Sequence, residues 1–268
     1  MFFLFPLAVL VTFFGACLGS FLNVLVVRTR EGRPPTGRSR CSSCGVVLRW
    51  KDLIPVASFF LLKRRCHSCS QPISWQYPLV EAGSAALFLL VFLGYVVGHL
   101  FGIPLPEASG EGALWVFLAR DLLFVVFLIP IFVYDFRYGE IPDRFTLPAA
   151  VIAFAVNVAL GIPAASLAIG AALLGCFFLA QYLASRGTWI GGGDIRLGLA
   201  MGAMLGWQHG LVALFLAYVL GAIAAVTLLA RGKARMKTAV PFGTFLTVGT
   251  FLALLAGQPI LEWYLGFF

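Results

Sequence analysis

The sequence predicts an all-α polytopic membrane protein with about eight transmembrane helices. Of its 268 residues, 61% are hydrophobic and only 11% are charged, whereas a soluble domain of this length carries about 25% charged residues. The mean hydropathy is +0.97. The apolar residues also fall in runs close to the ~20 residues that a helix needs to cross a bilayer.

Eight apolar segments account for the predicted spans. They cover residues 3–27, 79–100, 113–134, 145–161, 166–184, 195–207, 209–230 and 244–265. The sixth is short and rich in glycine. The first has neither a charged n-region nor a small-x-small cleavage site and runs directly into a basic loop, so we predict a retained anchor rather than a signal peptide.

Lysine and arginine are distributed across these segments as the positive-inside rule requires. With the N-terminus outside, the first, third, fifth and seventh loops face the cytoplasm. They hold every lysine and arginine except Arg120, when Arg196 at the start of the sixth span is counted with the fifth loop. Arg120 lies within a span beside Asp121, which is expected to neutralise it. The net charge of +8 is therefore attributed to topology and to contact with anionic membrane lipid, and no nucleic-acid partner is predicted.

Four of the six cysteines lie in the longest hydrophilic stretch, which falls in the first cytoplasmic loop. Cys41 and Cys44 form one CxxC pair, and Cys66 and Cys69 form a second pair after a spacer of twenty-one residues. Two such pairs supply the tetrahedral thiolate set that suits Zn²⁺. Two disulfides or redox pairs are the alternative, which a reducing cytoplasm disfavours. His67 is expected to be a neighbour of this cluster rather than a fifth ligand.

Two aspartates lie at the ends of predicted spans, where a carboxylate is costly unless it faces a cavity, a partner or a reaction. Asp135 lies in IFVYDFRYGEIPD (131–143), and Asp194 lies in WIGGGDIRLGLAMG (189–202). Both fall on the cytoplasmic side in the predicted topology. Paired carboxylates that share a proton can activate water for peptide hydrolysis. The alternatives are a helix end near the interface for Asp135 and an N-cap for Asp194, while Asp143 is expected to be an ordinary loop or capping residue.

The two aspartate segments belong to a longer series of motifs. Gly191-Gly192-Gly193-Asp194, together with Asp135 followed by Ile141-Pro142-Asp143, resembles the type IV prepilin peptidases, bacterial aspartyl proteases with a GxGD motif. Further matches are Gly19-Ser20-Phe21-Leu22-Asn23-Val24 with Arg28, both CxxC pairs, Ile54-Pro55, Ile73, Tyr77-Pro78 and Glu81. The segment at 240–246 resembles the late PFGPFL motif of the family, but Thr244 replaces the second proline. Arg196 stands where lysine is common, and neither change is expected to touch a catalytic atom.

The resemblance implies two activities at the cytoplasmic face of a multi-pass inner-membrane protein. The protease, with Asp135 and Asp194 as catalytic residues, removes the leader of type IV prepilins or pseudopilins after a glycine. The same enzyme then N-methylates the new N-terminus with S-adenosylmethionine, and family members without the cysteine domain generally lack this second activity. No residues that bind the methyl donor are recognisable. Glu81 is the first candidate, with a helix-end charge near the interface as its alternative.

The expected organisation has three parts. Residues 1–27 form the first transmembrane helix, 28–77 a cytoplasmic zinc-binding domain, and 78–268 the transmembrane protease core. Residues 191–193 and 241–243 both disfavour regular helix, because they contain glycine or proline. They are expected to flank the scissile segment of the substrate and to hold it extended.

A polytopic membrane zinc protein that acts as a transporter or an adaptor is the alternative. A transporter also places carboxylates inside a helical bundle, but it often shows internal repeats with matched broken helices, which this sequence lacks. An adaptor accounts for the cysteines but not for Asp135 and Asp194. The sequence therefore favours the protease.

Overall fold

A computed structural model describes residues 4–97, 111–232 and 241–267, and these residues are almost entirely helical. The helices are α1 (Leu4–Arg30), α2 (Ala57–Leu61), α3 (Gln76–Val97), α4 (Glu111–Tyr138), α5 (Asp143–Ala159), α6 (Ala164–Ser185), α7 (Gly192–Ala230) and α8 (Phe242–Leu265). The chain divides into two compact units, Met1–Leu93 and Gly94–Phe268. Most of the predicted outer loop at 101–112 and most of the basic segment at 231–238 lie outside the described residues.

The predicted membrane helices agree with those that the structure describes. Six helices in the described ranges are long and apolar enough to cross a membrane. α5 has 17 residues, just short of that length, and α7, with 39 residues, consists of two helices that meet at Gly206. The all-α polytopic fold with eight membrane helices is therefore confirmed. Several helices begin or end a few residues beyond the predicted apolar runs, because polar residues at their ends continue the helical backbone.

The chain reverses its direction within α7. Gly206 adopts φ 73° and ψ −175°, a conformation that residues with a side chain rarely adopt. The first arm, residues 192–205, runs antiparallel to α6, and the second arm, residues 207–230, runs parallel to it. The contacts that show this reversal pair Ser166 with Gly206, Phe178 with Gly198 and Gln181 with Tyr218. This reversal brings the start of the first arm and the end of the second arm to the same end of the unit.

Asn157 of α5 caps the C-terminal end of the first arm of α7. Its side-chain amide donates to the carbonyl oxygens of Ala203 and Met204 at 2.9 and 3.0 Å. These carbonyls lie in the last turn before the break, where helical acceptors lose their partners. The side chain is completely buried. Its oxygen accepts a 3.4 Å hydrogen bond from Arg120, and Arg120 pairs with Asp121 at 2.7 Å as expected.

Replacing Asn157 by leucine is expected to destabilise the second unit by roughly 2–4 kcal/mol, because two buried carbonyls lose their donors at about 1–3 kcal/mol each. Thermal unfolding of the purified protein in detergent measures this effect. Val151→Leu, on the exposed side of the same helix, is the matched control and should change the midpoint little. An Asn157→Leu protein as stable as the control would show that these bonds contribute nothing.

In the first unit, α1 packs against the beginning of α3. Gly19 lies against Ser84, and the fully buried Asn23 donates to the carbonyl of Tyr77 at 3.2 Å. The side-chain amide of Gln76 donates in turn to Asn23 at 3.1 Å. The N-terminal motif at 19–24 is thus a helix-packing motif that fixes the start of α3.

The two cysteines outside the CxxC pairs occupy exposed positions. Cys17 on α1 and Cys176 on α6 lie in apolar helices, where a free cysteine is often buried as a small hydrophobic residue. Both are exposed in the structure. An apolar span surrounded by lipid exposes part of its hydrophobic surface, so residue type alone does not identify the side that packs.

Candidate active site and metal centre

Asp135 and Asp194 line one cavity of about 580 Å³ at an end of the second unit. Asp135 lies in the last turn of α4, and Asp194 lies in the first turn of α7. Both carboxylates are buried, with 3% and 6% of their surface exposed. The structure therefore brings together the two aspartates that the sequence singled out. They lie where α4 ends and where α7 and α8 begin.

Thr244 holds the carboxylate of Asp135. Its backbone N–H and its hydroxyl both donate to Oδ2 of Asp135, at 2.5 and 2.8 Å. Thr244 is itself buried and belongs to the first turn of α8. The expectation that the Thr244 replacement touches no catalytic atom is therefore wrong. The motif comparison alone could not show that this residue lies against Asp135.

Asp194 has a different environment. Its Oδ2 accepts a 3.0 Å hydrogen bond from the backbone N–H of Gly191, which makes it a capping residue for its own helix. Its Oδ1 is buried and has no hydrogen-bond partner among the described residues. An unpaired buried carboxylate oxygen is costly, so capping alone does not explain this residue.

Ile141 is packed between the two glycine-containing segments of the cavity. A Cβ on Gly193 would lie 2.7 Å from Cβ of Ile141. A Cβ on Gly243 would lie 2.5 Å from Cδ1 of Ile141 and 3.0 Å from Cγ of Asp135. Glycine at these positions allows the starts of α7 and α8 to approach the loop that follows α4. The cavity geometry thus depends on both motifs.

Asp143 makes an interaction that the sequence did not predict. Its carboxylate forms an ion pair with Arg196 of the first arm of α7. Both side chains are about half exposed, and exposed pairs contribute little stability. The pair nonetheless links the start of α5 to the segment that carries Asp194, so Asp143 has a specific partner rather than the general loop role expected for it.

The four cysteines of the CxxC pairs form one cluster. The sulfur atoms of Cys41, Cys44, Cys66 and Cys69 lie within 4.8 Å of one another. The Sγ atoms of Cys41 and Cys69 are 3.8 Å apart, which is about the separation of two sulfurs bound tetrahedrally at ~2.3 Å from one zinc. The pKa of Cys41 is lowered to about 6, mainly by a hydrogen bond from the backbone N–H of Cys44. Despite a hydrogen bond from the backbone N–H of Gln71, the pKa of Cys69 is raised by burial and by the other three cysteines. Among these coupled thiols, the thiolate, which is the form that binds metals, is favoured at Cys41.

The two CxxC turns share one backbone geometry. Gly45 N–H donates to the carbonyl of Cys41 at 2.9 Å, and Ser70 N–H donates to that of Cys66 at 3.0 Å. Gly45 and Ser70 both have positive φ values, 72° and 58°. Each turn therefore directs its cysteine side chains to the same point, and four sulfur donors at this spacing fit a zinc ion.

His67 pairs with Asp52 and is not among the residues that form the sulfur cluster. Its Nδ1 lies 3.1 Å from Oδ2 of Asp52. Asp52 also receives two hydrogen bonds from the guanidinium of Arg49, and this pairing lowers the pKa of the Asp52 carboxyl. These contacts connect the loop around residue 50 to the second CxxC turn.

Glu81 is a buried carboxylate in the first unit and lies in the second turn of α3. Its Oε2 accepts a 2.7 Å hydrogen bond from the backbone N–H of Val56. Val56 has φ 61° and ψ −52°, and the N–H of Ala57 bonds to the carbonyl of Pro55 at 2.6 Å. This is a γ-turn of the rare, strained type. Strain of this kind in a β-branched residue is a marker of functional sites.

Comparison with known proteins identifies the family. Residues 13–95 match the bacterial peptidase A24 N-terminal domain, and residues 122–226 match the type IV leader peptidase family. A prepilin leader peptidase/N-methyltransferase from Pseudomonas putida is 32% identical over 280 residues, which cover 94% of this chain and 91% of that protein. The chain belongs to the type IV leader peptidase family.

Other relatives of the chain carry the same name as the Pseudomonas putida protein. The protein from Legionella pneumophila is 31% identical over 236 residues, covering 86% of this chain and 76% of that protein. The one from Myxococcus xanthus is 33% identical over 244 residues, covering 86% and 66%. No solved structure matches the chain. The family and the apolar helices make the chain a multi-pass inner-membrane protein, and the transporter or adaptor alternative is not favoured.

The predicted site residues fall into different family matches. The first match contains the four cysteines and Glu81, and the second contains Asp135 and Asp194. Helix α8, which carries Thr244, lies outside both matched segments.

Proposed function

We propose that this chain is a membrane aspartyl endopeptidase that cleaves the leader of type IV prepilins or pseudopilins after a glycine. It then N-methylates the new N-terminus with S-adenosylmethionine. The observation that carries the proposal is the cavity shared by Asp135 and Asp194, and both aspartates lie within the segment that matches the family.

The two aspartates act as a general acid–base pair. One carboxylate accepts a proton from a water molecule, whose oxygen attacks the scissile carbonyl. The other carboxyl group holds a proton, which stabilises the tetrahedral oxygen and reaches the leaving amine as the C–N bond breaks. Two buried carboxylates in one cavity favour this arrangement, because both cannot easily be ionised at once.

The substrate enters the cavity as an extended segment. A helical peptide hides its carbonyls in i→i−4 hydrogen bonds, so the cut site must unwind. Residues 191–193 line the same cavity as Pro241 and Phe242. We infer that these two segments hold the scissile peptide between them, at the cytoplasmic surface.

Zinc is assigned to the cluster of Cys41, Cys44, Cys66 and Cys69, where it would fix the fold of the loop. The segment between α1 and α3 contains only two short helices, at Trp50–Leu53 and Ala57–Leu61. It buries little apolar core, and metal binding can supply the missing folding free energy.

The methyl donor is assigned to the surroundings of Glu81. S-adenosylmethionine supplies a methyl group on a sulfonium and carries an ammonium, and a buried carboxylate complements these positive charges. The buried carboxylates described in the first unit are Asp52 and Glu81. Asp52 is already paired with Arg49 and His67, whereas Glu81 is contacted by a backbone N–H.

The organisation inferred from the sequence stays a prediction. It comprises a first transmembrane helix at 1–27, a cytoplasmic zinc-binding domain at 28–77 and a protease core at 78–268. The N-terminus is placed outside and the catalytic site on the cytoplasmic side, by the distribution of basic residues. Membrane lipid surrounds the core, and no nucleic-acid partner is proposed.

The test is cleavage and methylation of a purified prepilin by the full chain in detergent, followed by mass spectrometry with deuterated S-adenosylmethionine. The wild type should cut after a glycine and add one labelled methyl to the new N-terminus. Glu81→Gln should lower methylation and S-adenosylmethionine binding by about tenfold or more, the usual loss for one charged contact, and leave cleavage largely intact.

Glu31→Gln, which changes an exposed carboxylate of the same unit, is the control. Normal donor binding by Glu81→Gln would remove Glu81 from this role. Intact prepilin after incubation with the wild-type chain would refute the protease itself.

A further inference from the structure

We infer that Thr244 is a positioning residue that keeps Asp135 as the ionised member of the pair, so that Asp135 is the general base and Asp194 carries the shared proton. This inference rests on the proposed protease function. It assigns a separate role to each aspartate.

The first observation is that two hydrogen-bond donors contact the same oxygen of Asp135. Oδ2 of Asp135 accepts two hydrogen bonds from Thr244, one from its backbone N–H and one from its hydroxyl. Hydrogen bonds donated to a carboxylate favour its charged form. Thr244 also belongs to the first turn of α8, where the helix dipole stabilises a nearby negative charge.

The second observation concerns the partner carboxylate. Oδ1 of Asp194 is buried without a hydrogen-bond partner among the described residues. A protonated oxygen at that position costs less than an unpaired negative one. The single proton of the pair is therefore placed on Asp194, from which it can pass to the substrate.

A proline at position 244, which the motif that this segment resembles has there, gives a useful comparison. Proline has neither a backbone N–H nor a hydroxyl, so it could donate neither bond to Asp135. Both bonds to Asp135 therefore depend on threonine rather than proline at this position. We expect cleavage by this chain to persist at lower pH than cleavage by the same chain with proline at 244.

The other titratable groups around the cavity come from three elements. Tyr134 lies on α4, Glu140 in the loop after it, and Asp194 on α7. The described part of α8 offers Thr244, not a charged group, to Asp135. The charged neighbour that couples most directly to Asp135 is therefore Asp194, and the acid side of the pH profile reports the pair.

The test is the pH dependence of kcat/KM for leader cleavage in a graded series at position 244. Thr244→Ser keeps both donors, Thr244→Val keeps only the N–H, and Thr244→Pro keeps neither. The midpoint of the acid limb should stay unchanged for serine. It should rise by about one pH unit for valine and about two for proline, since two or three such bonds shift a carboxylate by about two units. The alkaline limb should not move.

Thr250→Val is the matched control, because it removes a buried hydroxyl of α8 that bonds to the carbonyl of Leu246. Its profile should coincide with the wild type. If Thr244→Pro fails to fold, the serine and valine variants decide the question. An acid limb that is unmoved in Thr244→Val, or a shift confined to the alkaline limb, would overturn the inference. Wild-type protein without cleavage would instead refute the proposed function.

Discussion

Asp194→Asn and Asp135→Asn are each expected to lower leader cleavage by roughly 10³-fold or more. A positioned acid or base alone contributes about 10²–10⁴-fold to the reaction rate. When two groups act as a unit, the loss of either one removes much of their joint contribution. Asparagine keeps the shape of the side chain but can neither accept the proton of the attacking water nor deliver one to the leaving amine. The measurement is the initial rate of prepilin cleavage by purified protein, with equal amounts of folded enzyme.

A second substrate separates loss of catalysis from loss of fold. Both variants should still methylate a synthetic peptide that begins at the mature N-terminus, because the cysteines and Glu81 lie in the first unit. Glu140→Gln is the control, since Glu140 is an exposed carboxylate that lines the same cavity. Cleavage by Asp194→Asn at a rate close to that of this control would remove Asp194 from the catalytic role.

The second large effect is expected from loss of the metal. Replacing Cys66 and Cys69 together by serine should abolish zinc binding, which in zinc-finger peptides contributes about 10–16 kcal/mol of folding free energy. The wild type should contain about one zinc per chain by elemental analysis. In the variant, the loop between α1 and α3 should become a site of rapid proteolysis. Methylation should fall more than cleavage, because no cysteine lines the cavity of Asp135 and Asp194.

The chain offers its own control for this experiment. Cys17 and Cys176 lie on exposed faces of α1 and α6, so serine at either position should leave zinc content unchanged. A disulfide among the four clustered cysteines, found in protein prepared under reducing conditions, would contradict the zinc assignment. Acidification should release the metal, because protons compete with zinc for the thiolates.

The helices and the main residues of the candidate site follow from local sequence patterns. Runs of apolar residues identified the spans, the CxxC spacing identified the sulfur cluster, and the glycine run identified the first turn around Asp194. Even the reversal at Gly206 was visible as a short, glycine-rich sixth span next to a seventh. Each of these features is carried by residues close together in the chain.

The interactions that the sequence did not predict join distant segments. Thr244 and Asp135 are 109 residues apart, Asn157 and Ala203 are 46 apart, and no local rule specifies either contact. Asp143 and Arg196 also carry no periodic signal that would reveal their pairing. The sequence contained one indication of the contact with Asp135, which is that Thr244 departs from the family motif. The meaning of this departure is clear only from the structure, in which the N–H and the hydroxyl of Thr244 donate to Asp135.

The first arm of α7 is short and is enclosed by other helices of the second unit. Residues 192–205 make a helix of about 21 Å at 1.5 Å per residue, against a hydrocarbon thickness of about 30 Å. Because these residues are all buried or partly buried, the difference of about 9 Å is bridged by protein and by the cavity at the start of the arm. The carboxylate of Asp194 can therefore lie below the level of the lipid headgroups without contacting lipid.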